Sequence, residues 1–241
     1  MFPEYPIDLS KIEIDAYYQC YNNPEQTDKV LTRFRKFYPN SKIVLIRDGG
    51  SSDFKDIANK HQCIFKPSEY NMGLGNLNLN SALHFIARLD FAKSYFKSPV
   101  FMILEDDVYL KNKLNGTLKA HFAGPCFGNV IEQKASDLLK QINVKYTPSY
   151  PFGGSGGTIC KSVTLPTFKT FYNRISLLAS SYQHVKQLEC VDYLFSYILF
   201  LQGYDYEKLD ELSEQCRDPN CIHDSRYTVI HGLKDWSGLE L

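Results

Sequence analysis

Three consecutive carboxylates, Glu105, Asp106 and Asp107, interrupt the apolar run VFMILEDDVYL (100–110) at the point where a buried strand should end. In extended backbone successive side chains alternate faces, so Glu105 and Asp107 share one face and Asp106 takes the other. A carboxylate pair at i and i+2 on a strand end is a natural site for a divalent cation. Without one, close carboxylates on a partly desolvated rim repel, and one of them must keep a proton. Mn2+ or Mg2+ removes that conflict and can neutralise a bound diphosphate as well. The same residues are also compatible with a solvated loop that starts one residue early.

Other stretches carry similar alternatives. In RDGGSSD (47–53), Asp48 stands at a strand end, either as a ligand contact or as a turn residue before Gly49 and Gly50. In FGGSGGT (152–158), Gly153, Gly154, Gly156 and Gly157 surround Ser155. Glycines have no Cβ, so backbone amides there can approach a sugar or phosphate closely; the bland alternative is a surface loop. His231 closes the last apolar segment, as a ligand or as a satisfied strand-end histidine.

The elements that must position these groups alternate. The segment 12–20 is rich in strand formers, and Asn23, Pro24 and Gln26 then carry the marks of a helix start, with Gln26 where a capping box wants Glu or Gln. Val30, Leu31, Phe34, Phe37 and Tyr38 continue at helical spacing until Pro39 and Asn40. Strands are expected over 42–46, 62–66 and 100–104, with Asp53 as a candidate cap and a long helix carrying Leu79, Leu83, Ile86 and Leu89. This βαβαβαβ order predicts an α/β fold, a mainly parallel central sheet with helices on both faces and ligands at the carboxyl ends of the strands. The second half is less regular: helices are expected over 129–142, 165–180 and 191–201, a loop over 150–158 and a last strand over 227–230.

Length and composition favour a single domain. Lys plus Arg and Asp plus Glu both total 27, without blocks of like charge, so nucleic acid is not an expected partner. No run approaches the roughly 18 apolar residues of a transmembrane helix, and no signal peptide is evident, so a cytoplasmic protein is expected. The seven scattered cysteines read as reduced thiols. A Cys216–Cys221 pair, or a metal site with His223, is the lesser alternative.

The order of these motifs resembles the GT-A class of nucleotide-sugar-dependent glycosyltransferases. YNNPEQTDKVLTRF resembles the family's opening motif, RDGGSSD the second-strand loop that meets the base, the acidic triplet the D-x-D motif, and VIHGLKDW a C-terminal His-Gly-x-x-Lys-x-Trp element. The triplet departs from D-x-D in its first residue, since glutamate is longer by one methylene. The resemblance implies a GT-A, Rossmann-like domain over 1–241, with residues 1–110 binding nucleotide and 111–241 binding acceptor. It implies Asp107 and His231 as ligands of Mn2+ or Mg2+, with help from Glu105 or Asp106. Donor contacts would come from Tyr21, Asn22, Asp48, Asn71, Gly73, Glu105, Asp106, Gly154, Ser155, Gly156 and Lys234. A UDP-sugar is the favoured donor, and a glycan, protein or small molecule the acceptor. His231 and Lys234 are expected to close over the diphosphate on a tail whose removal harms transfer more than stability.

Glu189 and Asp192 flank the start of an apolar helix, where carboxylates also favour the helix N-terminus electrostatically. The sharper reading makes one of them the general base that deprotonates an acceptor hydroxyl during inversion, Asp192 first and Glu189 second. GGSGGT and ECVDYLF resemble inverting members and HGLKDW retaining ones. A retaining enzyme, a sugar-phosphate nucleotidyltransferase and a non-catalytic sugar-nucleotide-binding module remain the alternatives.

Overall fold

A computed structural model describes residues 6–72, 79–130, 137, 149–152, 156–164, 196, 199, 203–215 and 219–241. The first half alternates: β1 (Ile7–Asp8), β2 (Asp15–Cys20), α1 (Pro24–Phe37), β3 (Ile43–Asp48), α2 (Lys55–Lys60), β4 (Ile64–Ser68), α3 (Leu79–Lys93) and β5 (Val100–Leu104). Short strands follow: β6 (Val108–Leu110), β7 (Thr117–Leu118), β8 (Phe122–Gly124), β9 (Cys126–Val130), β10 (Ser149–Phe152), β11 (Ile159–Lys161), β12 (Tyr206–Lys208), β13 (Leu212–Gln215) and β14 (Val229–His231).

Local chemistry explains the first helix. Asn23 caps α1 by accepting the Gln26 N–H at 3.1 Å, and Pro24 occupies the first turn, where a missing N–H costs nothing. Gln26 does not complete a capping box. Its amide instead donates to the Asp106 carbonyl at 2.9 Å, tying the helix start to the acidic triplet. At α2 the Asp53 carboxylate accepts the Lys55 N–H at 3.0 Å, although Phe54 holds the cap position.

Among the described residues the central sheet has the order β12-β8-β11-β5-β2-β3-β4. Strands β5, β2, β3 and β4 run parallel, as do β12 and β8, while β11 is antiparallel to both its neighbours. The sheet is mainly parallel, as expected. Ala16, Tyr18 and Cys20 face one core with Val30, Leu31 and Phe34 of α1 and Ala58 of α2. Tyr17 points to the opposite face and meets Phe85 of α3 edge-on at 6.1 Å. Helices therefore cover both faces. The chain runs outward from β2 through β3 to β4, then crosses back to place β5 on the other side of β2. Between β2 and β5 the strand order reverses, and the crevice above such a reversal is where open α/β sheets bind ligands.

The second half departs from expectation. Asn129 and Val130 belong to β9 rather than to a helix; Asp137, farther along the expected helix, is helical. Tyr150 to Phe152 belong to β10, which pairs antiparallel with β9, so the expected loop is shorter. A helix at 191–201 agrees with helical, buried Ser196 and Leu199, and Gly203 follows with φ +80°. The expected helix 165–180 lies outside the described residues. Cys20, Cys63 and Cys160 are free, but Cys221 is disulfide-bonded, so the first expectation of reduced thiols fails at Cys221, where pairing was the lesser alternative. Cys216 lies outside the described residues. Among the described residues no helix is long and apolar enough to cross a membrane.

Candidate functional site

Past Leu104 the acidic triplet turns the chain directly into β6, which leaves the central sheet and pairs antiparallel with β14, setting His231 opposite Val108. That register returns a C-terminal histidine to the end of β5. Its Nε2 lies 3.4 Å from Glu105 Oε2 and 3.5 Å from Asp107 Oδ1. Ligand atoms of Glu105, Asp107 and His231 all lie within 4.8 Å of one another. Asp107 and His231 are buried and Glu105 half-buried. Oδ1 of Asp107 is buried and accepts no hydrogen bond among the described residues, a costly state for a carboxylate oxygen with no cation beside it. Two carboxylates, one imidazole and that unsatisfied oxygen fit a hard or borderline divalent ion such as Mg2+ or Mn2+.

Backbone contacts fix the cluster. The N–H groups of Gly232 and Leu233 both donate to the Asp107 carbonyl, at 3.1 and 3.2 Å, a turn made with Gly232 at φ +87°. The His231 N–H donates to Ser213 Oγ at 3.0 Å. Lys234 follows, and its ammonium donates to Oδ2 of Asp107. The tail beyond it is no detachable flap: Ile230 is fully buried between β6 and β13, and Trp236 meets Tyr109 edge-on at 5.0 Å. Deleting the chain from Ile230 onward would remove core, contrary to the expectation from sequence.

Asp106 points away from the cluster, but not by strand alternation: β5 ends at Leu104, and the triplet lies in a turn in which the Val108 N–H donates to the Glu105 carbonyl at 3.2 Å. Asp106 accepts from the Tyr18 hydroxyl at 2.6 Å and the Thr27 hydroxyl at 3.3 Å. Burial pushes its carboxyl above the ordinary range, against those two bonds and with help from the neighbouring Asp107 and Glu105 charges. The structure thus does not bring Asp106 to the cluster; it ties β2 and α1 to the triplet. Asp106→Asn keeps an acceptor for both hydroxyls and removes a like charge, so the melting temperature should hold or rise while Mn2+ affinity falls by no more than a few-fold, the effect of one nearby charge. A loss of about a hundredfold or more in calorimetry would assign Asp106 to the cation instead.

The glycine-rich segment reaches the same place from the antiparallel strand β11. The Gly157 N–H donates to the Ile103 carbonyl at 2.8 Å, and Ile103 N–H donates to the Thr158 carbonyl at 2.9 Å. A Cβ at Gly156 would overlap the buried Val108 side chain and lie 3.2 Å from both Cβ and Oε2 of Glu105. Gly156→Ala should therefore destabilise the fold by about 1–3 kcal/mol, the usual cost of overpacking, and weaken Mn2+ binding by shifting Glu105. Chemical denaturation and calorimetry on one sample would read both. Gly73, Gly154 and Ser155, like Glu189 and Asp192, lie outside the described residues.

Three loops meet on the adjoining rim. Asn22 Oδ1 accepts the Ser51 N–H at 3.0 Å. Gly50, at φ +74°, lies so close to Asn22 and to Tyr21 that a Cβ would sit 3.0 Å from the Tyr21 ring, and a Cβ on Gly49 would sit 2.8 Å from Asn71 Cβ. Tyr21, Asn22, Asp48 and Asn71 are thus brought together. Asp48 itself is buried beneath them. Its Oδ1 accepts from Arg88 at 2.6 Å and from the Met72 N–H at 2.9 Å, and its Oδ2 accepts from Gln19 at 3.1 Å. Sequence reading missed Arg88 and Gln19. The available signal was an arginine between Ala87 and Leu89 in a largely apolar stretch of α3.

No protein-family model and no curated protein matches this sequence. Solved structures do match it in shape. The apo-form glycosyltransferase GlyE of Streptococcus pneumoniae aligns with a TM-score of 0.51 at 13% identity, covering 95% of this chain and 57% of that one. The galactosyltransferase LgtC, in complex with donor and acceptor sugar analogs, aligns with a TM-score of 0.47 at 11% identity, over 90% of this chain and 86% of that one. Residues 1–349 of S. aureus TarS align with a TM-score of 0.44 at 15% identity, over 83% of this chain and 61% of that one. This chain thus spans about three fifths of the length of GlyE and of TarS 1–349. At such identity the likeness is one of fold, and the chain has the fold of the glycosyltransferase GlyE, the GT-A architecture expected from its sequence.

Proposed function

We propose that the protein is a divalent-metal-dependent glycosyltransferase that moves a sugar from a nucleoside diphosphate sugar, a UDP-sugar in preference, to an acceptor hydroxyl with inversion. The observation that carries this reading is the convergence of Glu105, Asp107 and His231 at the carboxyl ends of β2 and β5, where the sheet order reverses. Residues 1–110 then form the donor half and 111–241 the acceptor half.

A cation bound there would offset diphosphate charge and assist departure of the nucleotide. The chain's own residues do the rest. Glu105, Asp107 and His231 would hold the cation, and the Lys234 ammonium, on its fixed backbone, would turn toward the same phosphates. Tyr21, Asn22 and Asn71 line the rim on which the base and ribose rest, with Asp48 and Arg88 bracing it from below. Gly156 leaves room for Glu105 beside the backbone, and Gly73, Gly154 and Ser155 complete the donor contacts. Asp192 accepts the proton of the acceptor hydroxyl as it attacks the anomeric carbon, with Glu189 the second candidate.

Incubation of purified protein with UDP- and GDP-sugars in Mn2+ should release the nucleoside diphosphate slowly without acceptor and faster with one. Absence of release from every donor, with the nucleotide still bound, would reduce the protein to a sugar-nucleotide-binding module.

A further inference from the structure

Lys234 stands where a cation is needed. Its ammonium donates to Oδ2 of Asp107, the same carboxylate whose Oδ1 lies 3.5 Å from His231 Nε2. The two partners differ sharply in freedom, since the Lys234 side chain is 82% exposed and that of Asp107 only 11%. The backbone next to Lys234 is pinned at Leu233: its N–H donates to the Asp107 carbonyl at 3.2 Å, and its carbonyl accepts from the Trp236 indole N–H at 3.0 Å. The ammonium can therefore leave by side-chain rotation alone, while the carboxylate cannot follow it.

We propose that Lys234 is the resident counter-ion of Asp107 and weakens divalent-cation binding at that carboxylate until it turns its charge toward a nucleoside diphosphate. The inference rests on reading Glu105, Asp107 and His231 as the cation site. An ammonium bonded to one oxygen of Asp107 competes with a divalent ion for the same negative charge, and the two positive groups also repel. A diphosphate that draws Lys234 away removes this competition. Cation and nucleotide then raise each other's affinity by the same factor, as linkage requires. Lys234 thereby discourages cation binding to the empty protein and favours it when the donor's phosphates are present.

Mn2+ titration of nucleotide-free protein, followed by the electron paramagnetic resonance of free Mn2+, tests this in wild type, Lys234→Met and Lys234→Arg. Methionine keeps much of the stem and removes the charge, so Lys234→Met should bind Mn2+ about tenfold tighter, the scale of one charge-assisted hydrogen bond discounted for exposure. Lys234→Arg keeps the charge and should bind as wild type does. Adding UDP should raise Mn2+ affinity in wild type more than in Lys234→Met. Equal or weaker Mn2+ binding by Lys234→Met, at an unchanged melting temperature, would overturn the counter-ion role and leave the cation site standing. Failure of all three proteins to bind Mn2+ would overturn both.

Discussion

Arg88→Met should destabilise the protein by about 3–5 kcal/mol, the cost of leaving one member of a buried ion pair without its partner. The Arg88 and Asp48 side chains are 4% and 6% exposed, with Nη1 2.6 Å from Oδ1. The guanidinium also donates to Gln19 Oε1 at 3.1 Å, Ser68 Oγ at 2.9 Å and the Tyr70 carbonyl at 2.6 Å. One side chain of α3 thus joins the ends of β2, β3 and β4, and removing it strands acceptors on all three. The double variant Arg88→Met/Asp48→Asn should lose clearly less than the sum of the single losses, because the orphaned charge is gone. Urea denaturation of the four proteins measures this. A loss under about 1 kcal/mol for Arg88→Met, or strict additivity, would show that the pair is replaced by water.

The second large effect concerns turnover. Asp192→Asn preserves shape and any helix-capping hydrogen bond but cannot take a proton at neutral pH. Transfer should fall by on the order of 10² to 10⁴, the usual share of general base catalysis, with Mn2+ and donor binding intact. Glu189→Gln serves as the control, since a pure capping role predicts small and similar effects from both. A dead Glu189→Gln beside an active Asp192→Asn would exchange the two roles. Activity in both would move the base elsewhere, and the anomeric proton coupling of the product would then separate inversion from retention.

What could be read in advance follows physical range. The βαβαβαβ half rests on local signals: Asn23 and Pro24 at a helix start, and the apolar run before Glu105. These depend on neighbours in sequence, and the elements stand close to where they were expected. The opposed directions of Asp106 and Asp107 were expected, but their cause is a turn after Leu104 rather than strand alternation. The second half was harder. Strands β6, β8, β11, β12 and β14 have only three residues each, too short for periodicity to declare them, and β11 inserts antiparallel between β5 and β8 from a distant part of the chain. Arg88 escaped notice for a related reason. An arginine buried on a helix is explained only by the carboxylate it meets, and Asp48 lies on a different element. The tail was misjudged because Ile230 and Trp236 look like ordinary apolar residues until β14 is paired with β6. The resemblance supplied what spacing alone did not, the expectation that His231 would return to the triplet.

The central claim is that Glu105, Asp107 and His231 form a cation site on which donor binding depends. Titration calorimetry of UDP and GDP, in Mn2+ and in EDTA, on wild type and Asp107→Ala tests it most directly. The wild type should bind one of the two nucleotides about tenfold or more tighter in Mn2+ than in EDTA, and Asp107→Ala should bind it weakly and equally in both. The same affinity with and without Mn2+ in the wild type, with Asp107→Ala indistinguishable from it, would contradict the account.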